Sequence, residues 1–183
     1  MLRYGIPLLA FTIQALAVVS PSVGQPALKT YQSEKFGYSI QYPETHQSER
    51  QKYPTQKFPN QERVRFEGPG VAYMVAVSQS KKLGRISNEE LISMMEARRK
   101  MMEKALRQSS RDPVEVRKVT KIRVSDREAL LIEGKEIGRD ILALMVLFKK
   151  GDRQFQVVAR TAPANWKASP DAILRVLKSI EVE

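Results

Sequence analysis

The chain contains no cysteine among its 183 residues and only one histidine, His46. The absence of cysteine excludes disulfides, thiolate metal sites, cysteine nucleophiles and a lipobox cysteine, so a packed core must stabilise the fold unaided. One histidine excludes a His-rich metal site. The sequence also has no Gly-x-Ser-x-Gly elbow and no phosphate-binding loop. These absences predict a protein that is not an enzyme and needs no cofactor.

Charge is nearly missing from the N-terminal segment, where Arg3 is the only charged residue before Lys29. The apolar run from Leu8 to Val19 is shorter than the about 20 residues that a membrane-spanning helix needs. Small residues and a proline follow it, a pattern typical of a secretory signal peptide. We therefore predict a signal peptide at 1–24 and an exported protein that is periplasmic, thylakoid-lumenal or secreted. A buried N-terminal helix or an uncleaved anchor is the alternative.

The rest of the chain predicts a tether at 25–30 and a single domain at 31–183, because no repeat or second composition class is found. Alternating apolar and polar residues predict most of its strands. Residues 44–61 contain prolines among polar side chains and are expected to form an irregular, exposed loop. The predicted strands are the hairpin Tyr31 to Pro43, the hairpin Val64 to Val77, the pair Val114 to Glu133, and the pair Ile141 to Ala159.

Eight consecutive apolar residues, Ile141 to Phe148, indicate a strand that is covered on both faces. Two helices can provide that cover. A capping box at Ser87–Glu90 predicts a helix that reaches about Gln108, and Ser169–Asp171 predicts the start of a second one. Because tight turns join consecutive strands, the fold class is expected to be α+β, an α-β-α sandwich around a central antiparallel sheet.

The first predicted helix has methionines at helical spacing, namely Met94, Met95, Met101 and Met102. An adaptable binding surface is one interpretation, but we expect a core stripe. Glu96 with Lys100 and Glu103 with Arg107 are expected to form ion pairs on the outer face.

Segments near both ends of the domain resemble the PsbP family, extrinsic proteins of the photosystem II oxygen-evolving complex. They are Tyr31 with Phe36–Pro43, and Trp166 with Ile173, Leu174, Leu177, Ser179 and Ile180. The resemblance covers roughly residues 28–183 and implies an α-β-α sandwich without enzymatic activity, in a family that also has exported bacterial members of unknown role. The family commonly has a tryptophan shortly after its Tyr-Pro pair, where this chain has His46. Metal ligands of some members have no matching positions here.

The net charge of +11 predicts an affinity for anionic partners. We expect an acidic protein or a membrane-associated complex, with an anionic membrane surface as an alternative. Nucleic acid is disfavoured because aromatic residues do not alternate with the basic ones. The basic clusters expected to bind the partner are Lys81, Lys82 and Arg85; Arg98, Arg99 and Lys100; and Arg117 and Lys118, followed by Lys121 and Arg123.

The remaining chemical groups are expected to be structural. His46, with Glu44 and Glu49 nearby, leaves a weak surface metal site open, but we expect a packing side chain. The carboxylate pairs Glu89/Glu90 and Glu133/Glu136 lie in a capping sequence and at a turn, and are expected to be exposed. The leading hypothesis is therefore an exported, non-catalytic docking protein. The alternatives are a hydrolytic or metal-dependent extracytoplasmic enzyme and a polyanion- or nucleic-acid-binding protein.

Overall fold

A computed structural model describes residues 27–50, 60–108 and 113–183. The predicted signal peptide, at 1–24, lies outside the described residues. Within the described ranges, no helix is both long enough and apolar enough to cross a membrane.

A seven-stranded antiparallel sheet, in the order β3-β4-β5-β9-β8-β7-β6, organises the described residues. Strand β8, which contains most of the apolar run Ile141 to Phe148, lies inside the sheet between β7 and β9, as predicted. Strand β6 is long and has a bulge between Val116 and Lys118. The strands are β3 (Gln47–Arg50), β4 (Gln61–Glu67), β5 (Val71–Gln79), β6 (Val114–Val124), β7 (Arg127–Glu136), β8 (Leu142–Lys150) and β9 (Arg153–Thr161).

A smaller sheet of three strands, β1 (Leu28–Ser33), β2 (Tyr38–Pro43) and β10 (Glu181–Val182), has β2 in its centre. The predicted hairpin between β1 and β2 is confirmed, and Gly37 provides the left-handed backbone, with φ of +52°, that its turn requires. Strand β1 begins at Leu28, inside the segment predicted to be a tether. Its pairing with β2 makes the start of that strand part of the domain.

Helices cover both faces of the large sheet. Helices α1 (Asn88–Ala97) and α2 (Arg99–Arg107) lie on the face that presents Leu130 and Ile132 of β7. The next residues along a strand point the other way, towards the larger core, which contains α4 (Pro170–Lys178) and the small sheet. A short helix, α3 (Pro163–Ala168), precedes α4. The predicted α+β fold class, with a central antiparallel sheet between two layers, is confirmed.

The prediction of one continuous helix from 88 to 108 was wrong. Arg98 has φ of −102° and ψ of 23°, values that end α1 and start α2. The predicted outer-face pairs are also different, because Glu96 binds Lys121 of β6 at 3.0 Å and Glu103 binds Arg99 at 2.7 Å. The break at Arg98 lies between Glu96 and Lys100, so these two residues are not on one continuous helix. Within α2, Glu103 pairs one turn towards the N-terminus, with Arg99, instead of one turn towards the C-terminus, with Arg107.

Residues 44–61 are not wholly irregular, because β3 lies in this segment and pairs with Val64–Glu67 of β4, which itself begins at Gln61. Residues 51–59, between them, lie outside the described part of the chain. All four residues of β3 are polar and exposed. Such a strand carries no alternation of apolar residues, and its pairing is visible only in the backbone register.

Candidate functional site

The exposed surface at the kink between α1 and α2 combines apolar and basic side chains. The two methionine pairs, 94/95 and 101/102, are seven residues apart, so equivalent members lie on the same side of the helix layer. Met95 and Met102 pack towards β7. Met94 and Met101 point outward with exposed fractions of 42% and 66%. The predicted core stripe is therefore correct for one methionine of each pair and wrong for the other.

Three consecutive cations, Arg98, Arg99 and Lys100, lie exposed between these two methionines. Arg99 forms an ion pair with Glu103. Arg98 and Lys100 have no ion-pair partner among the described residues. We call Met94, Arg98–Lys100 and Met101 together the helix surface. It places positive charge that is unpaired among the described residues next to exposed apolar groups.

Lys121 of the neighbouring strand β6 forms ion pairs with two carboxylates, one of them on α1. Lys121 lies 3.0 Å from Glu96 of α1 and 3.3 Å from Glu128 of β7. Hydrogen bonds with Glu96 and then Glu128 raise the pKa of Lys121. Both acids are thus engaged by a cation of the sheet.

The other predicted basic clusters lie at separate places. Lys81, Lys82 and Arg85 lie exposed in the connection between β5 and α1, where the 3₁₀ helix Leu83–Arg85 contacts β9. Arg117 and Lys118 lie on the edge strand β6, against which α2 packs. The structure therefore brings the second and third clusters onto neighbouring elements and leaves the first one apart.

Two depressions are lined by further cations. The first, of about 500 Å³, includes Arg107, Arg117, Lys135 and Arg139, but also Glu115 and Glu136. The second, of about 760 Å³, includes Lys121, Arg123, Arg127, Lys149 and Lys150, but also Glu89, Asp126 and Glu128. Since both mix acids with bases, neither has the uniform charge of a groove for a nucleic acid backbone.

The expectation that Glu136 is exposed at a turn was wrong. Its side chain is 2% exposed and binds Arg160 of β9 at 2.5 Å. Strand β7 continues to Glu136, three residues beyond the predicted end, and this extension carries the carboxylate into the sheet. The guanidinium compensates its charge, so the buried carboxylate is part of a structural ion pair. Glu133 lies 3.9 Å from Lys118.

A second buried carboxylate, Glu62 of β4, was not anticipated. It accepts a hydrogen bond of 2.6 Å from the hydroxyl of Ser33 and forms an ion pair of 2.7 Å with Arg50. Burial, followed by the negative charge of Glu62, raises the pKa of Tyr38. These contacts join the small sheet to the large one. The alternating pattern of β4 places Glu62 on the buried side with Val64 and Phe66, so the period of the strand was the available signal.

His46 is a buried packing residue, with 3% of its side chain exposed. Its Nε2 lies 2.7 Å from the carbonyl oxygen of Val71, and its Nδ1 lies 3.2 Å from the hydroxyl of Thr45. Because a carbonyl only accepts, Nε2 carries the proton and donates, and Nδ1 can accept from Thr45. The ring centroid is 5.5 Å from that of Tyr73. Both nitrogens are therefore occupied within the fold.

Next to His46 is a pocket of about 310 Å³, which we call the His46 pocket. Its walls come from the end of β2, the start of β5, α3 and α4. Across the described ranges, no three side chains of the His, Cys, Asp or Glu types converge as metal ligands. The lining residues are Pro43, Thr45, His46, Pro69, Gly70, Val71, Tyr73, Asn165, Ala168, Ser169, Ala172 and Ile173.

Two solved structures are similar to this fold. The solution structure of cyanobacterial PsbP (CyanoP) from Synechocystis sp. PCC 6803 has a TM-score of 0.58 and 13% identity, over 90% of this chain and 97% of that chain. A crystal structure of a protein from Bacteroides thetaiotaomicron VPI-5482 has a TM-score of 0.54 and 10% identity, over 87% of this chain and 49% of that chain. The chain thus spans about half the length of the Bacteroides protein.

At these identities the similarity shows the fold alone, and the PsbP-like fold expected from the sequence is confirmed. No family model matches the sequence. A search of curated proteins also finds no match.

Proposed function

We propose that the protein is a non-catalytic PsbP-like protein that works outside the cytoplasm and docks on an acidic protein partner through the helix surface. The observation that carries this proposal is the exposed pair Arg98 and Lys100, which has no ion-pair partner in the described part of the chain and is flanked by Met94 and Met101. Unpaired cations accelerate and orient encounter with an acidic surface. Exposed methionines adapt their shape to apolar groups of the partner.

The alternatives from other classes have less support. A hydrolytic enzyme would need a base with a free nitrogen or an unpaired buried carboxylate. Both His46 nitrogens have hydrogen-bond partners, and Glu62 and Glu136 have guanidinium partners. A polyanion binder would need a contiguous basic groove, whereas both basic depressions include carboxylates.

A site-specific photocrosslink tests the docking proposal and identifies the partner. A photoreactive amino acid replaces Met101 in one variant and Lys178, exposed on α4 at the other face, in a matched control. Irradiated membrane extracts should yield a crosslink to an acidic protein from position 101 and not from position 178. The crosslink should decrease strongly at 1 M salt, where the screening length falls to about 3 Å. A salt-independent crosslink, or equal crosslinking from both positions, would contradict the proposal.

Export is the second part of the proposal and rests on the residue pattern of 1–24. N-terminal sequencing of native protein from cell fractions tests it. A mature N-terminus near Gln25 outside the cytoplasm supports export, and an intact Met1 in the cytosol contradicts it.

A further inference from the structure

We propose that the His46 pocket binds a small, uncharged and largely apolar molecule that carries a hydroxyl or carbonyl oxygen. This inference is independent of the docking proposal, because the pocket lies on the face of α3 and α4 and the helix surface lies on the opposite layer. A volume of about 310 Å³ lies at the lower end of the range for small-molecule sites.

The charge of the lining distinguishes this pocket from the two basic depressions. None of its lining residues is an Asp, Glu, Lys or Arg, in a chain of which 28% of residues are charged. A charged molecule would find no opposite charge among the lining residues to offset its loss of hydration. Apolar surface for a ring or a short branched chain comes instead from Pro69, Ala168 and Ala172, which are exposed or half-buried.

Hydrogen-bond donors for the ligand oxygen lie at the start of α4. Ser169 occupies the N-cap position, but its hydroxyl does not cap the helix as the sequence predicted. The backbone N–H groups of Asp171 and Ala172 also have no acceptor among the described residues. Ser169 and Ala172 both line the pocket. Because Ser169 is exposed, an oxygen atom held at its hydroxyl or at the N–H of Ala172 would replace the water that otherwise hydrates these donors.

The same region favours a neutral oxygen over a carboxylate. Asp171, in the first turn of α4, already places a negative charge at the positive end of the helix dipole. A carboxylate would lie close to this acid without a cation in the pocket to offset the repulsion.

The walls of the pocket are fixed by internal hydrogen bonds. His46 is bonded to the carbonyl of Val71. The carbonyl of Gly70 accepts hydrogen bonds from the Thr161 hydroxyl at 3.0 Å and from the Asn165 amide at 2.9 Å. A ligand therefore meets a pocket that is already formed, and ordering the walls does not reduce its affinity.

A titration with cyclohexanol tests the proposal, followed by amide chemical shifts in ¹⁵N-labelled protein and by fluorescence of Trp166, the chain's one tryptophan, on α3. We expect saturable shifts confined to the pocket residues. Cyclohexanecarboxylate and cyclohexylammonium, at the same concentrations, should cause no saturable shifts. Scattered or non-saturable shifts with cyclohexanol, or equal binding of a charged analogue, would overturn the proposal.

Variants that fill the pocket complete the test. Ala172→Leu and Ala168→Leu should raise the Kd for cyclohexanol at least about tenfold, a loss of about 1.4 kcal/mol. Ala164→Leu, on α3 but outside the lining, should leave it unchanged. Circular dichroism establishes that each variant is folded. A folded filling variant with unchanged affinity would overturn the proposal. If neither filling variant folds, Ser169→Ala decides the proposal: it should weaken cyclohexanol binding, and unchanged cyclohexanol binding would overturn the proposal.

Discussion

The imidazole of His46 occupies the space into which a side chain at Gly68 would project. A Cβ atom at this glycine would lie 2.5 Å from the ring. The histidine can be buried here because residue 68 has no side chain and the loop before β5 can pass directly over the ring. The site thus buries a small ring that has polar partners on both nitrogens.

Gly68→Ala should therefore destabilise the protein by about 1–3 kcal/mol, because the new methyl group overpacks the site. Urea unfolding followed by circular dichroism measures the change. His46→Ala in the same background should remove most of the penalty, since it empties the space that the methyl group needs. An equal penalty for Gly68→Ala with and without His46 would contradict this contact.

Leu144→Asp should abolish cooperative folding. Leu144 lies on β8 in the larger core with 2% of its side chain exposed, and an unpaired buried carboxylate costs several kcal/mol. Ile137→Asp is the matched control, because Ile137 is 45% exposed and its substitution should leave the thermal transition nearly unchanged. A Leu144→Asp protein with the wild-type transition would mean that the sheet is assigned wrongly.

Tyr73 should make the protein less stable in alkali. Burial raises its pKa from 10.0 to about 12. Below pH 10 both the folded and the unfolded states hold the proton, whereas between pH 10 and 12 only the folded state does. The free energy of unfolding should therefore decrease with rising pH in this window, by up to about 1.4 kcal/mol per pH unit for this group.

Tyr73→Phe removes that contribution. Its urea unfolding curves, measured from pH 9 to pH 12, should show a smaller decrease than those of the wild type. Parallel pH dependences for the two proteins would show that Tyr73 titrates normally in the folded state.

Ser33→Ala should lower the free energy of unfolding by about 1–3 kcal/mol. The variant removes the hydroxyl that donates to the buried carboxylate of Glu62, so one carboxylate oxygen loses its hydrogen bond. The double variant with Glu62→Gln should show coupling between the two positions in equilibrium unfolding. Additive effects would indicate that the hydroxyl and the carboxylate do not interact.

The sequence correctly predicted the elements whose apolar residues repeat regularly. The apolar run 141–148 correctly predicted an inner strand, and the capping box at Ser87 is present with both of its hydrogen bonds. The polar strand β3, the two-residue strand β10 and the short helix α3 were missed. Backbone pairing and contacts between residues distant in sequence stabilise these elements. No periodic pattern of apolar residues therefore marks them in the sequence.

The candidate sites were predictable only in part. The cations Arg98–Lys100, predicted to bind a partner, are exposed, but the outward direction of Met94 and Met101 depends on the kink at Arg98. Burial of Glu136 follows from a strand that extends further than its apolar residues do. The His46 pocket joins residues from four elements that are distant in the chain, and no spacing in the sequence reports such a convergence.

The most direct test of the docking account is the affinity for the crosslinked partner, once purified, measured at two salt concentrations with three proteins. Wild-type protein should bind at 0.1 M salt and lose most of its affinity at 1 M. Arg98→Glu/Lys100→Glu should weaken binding by roughly two- to tenfold per reversed charge at 0.1 M salt. Lys178→Glu, the same kind of change on α4, should bind like the wild type. Equal weakening by the helix-surface and α4 variants, or affinity independent of salt, would contradict the account.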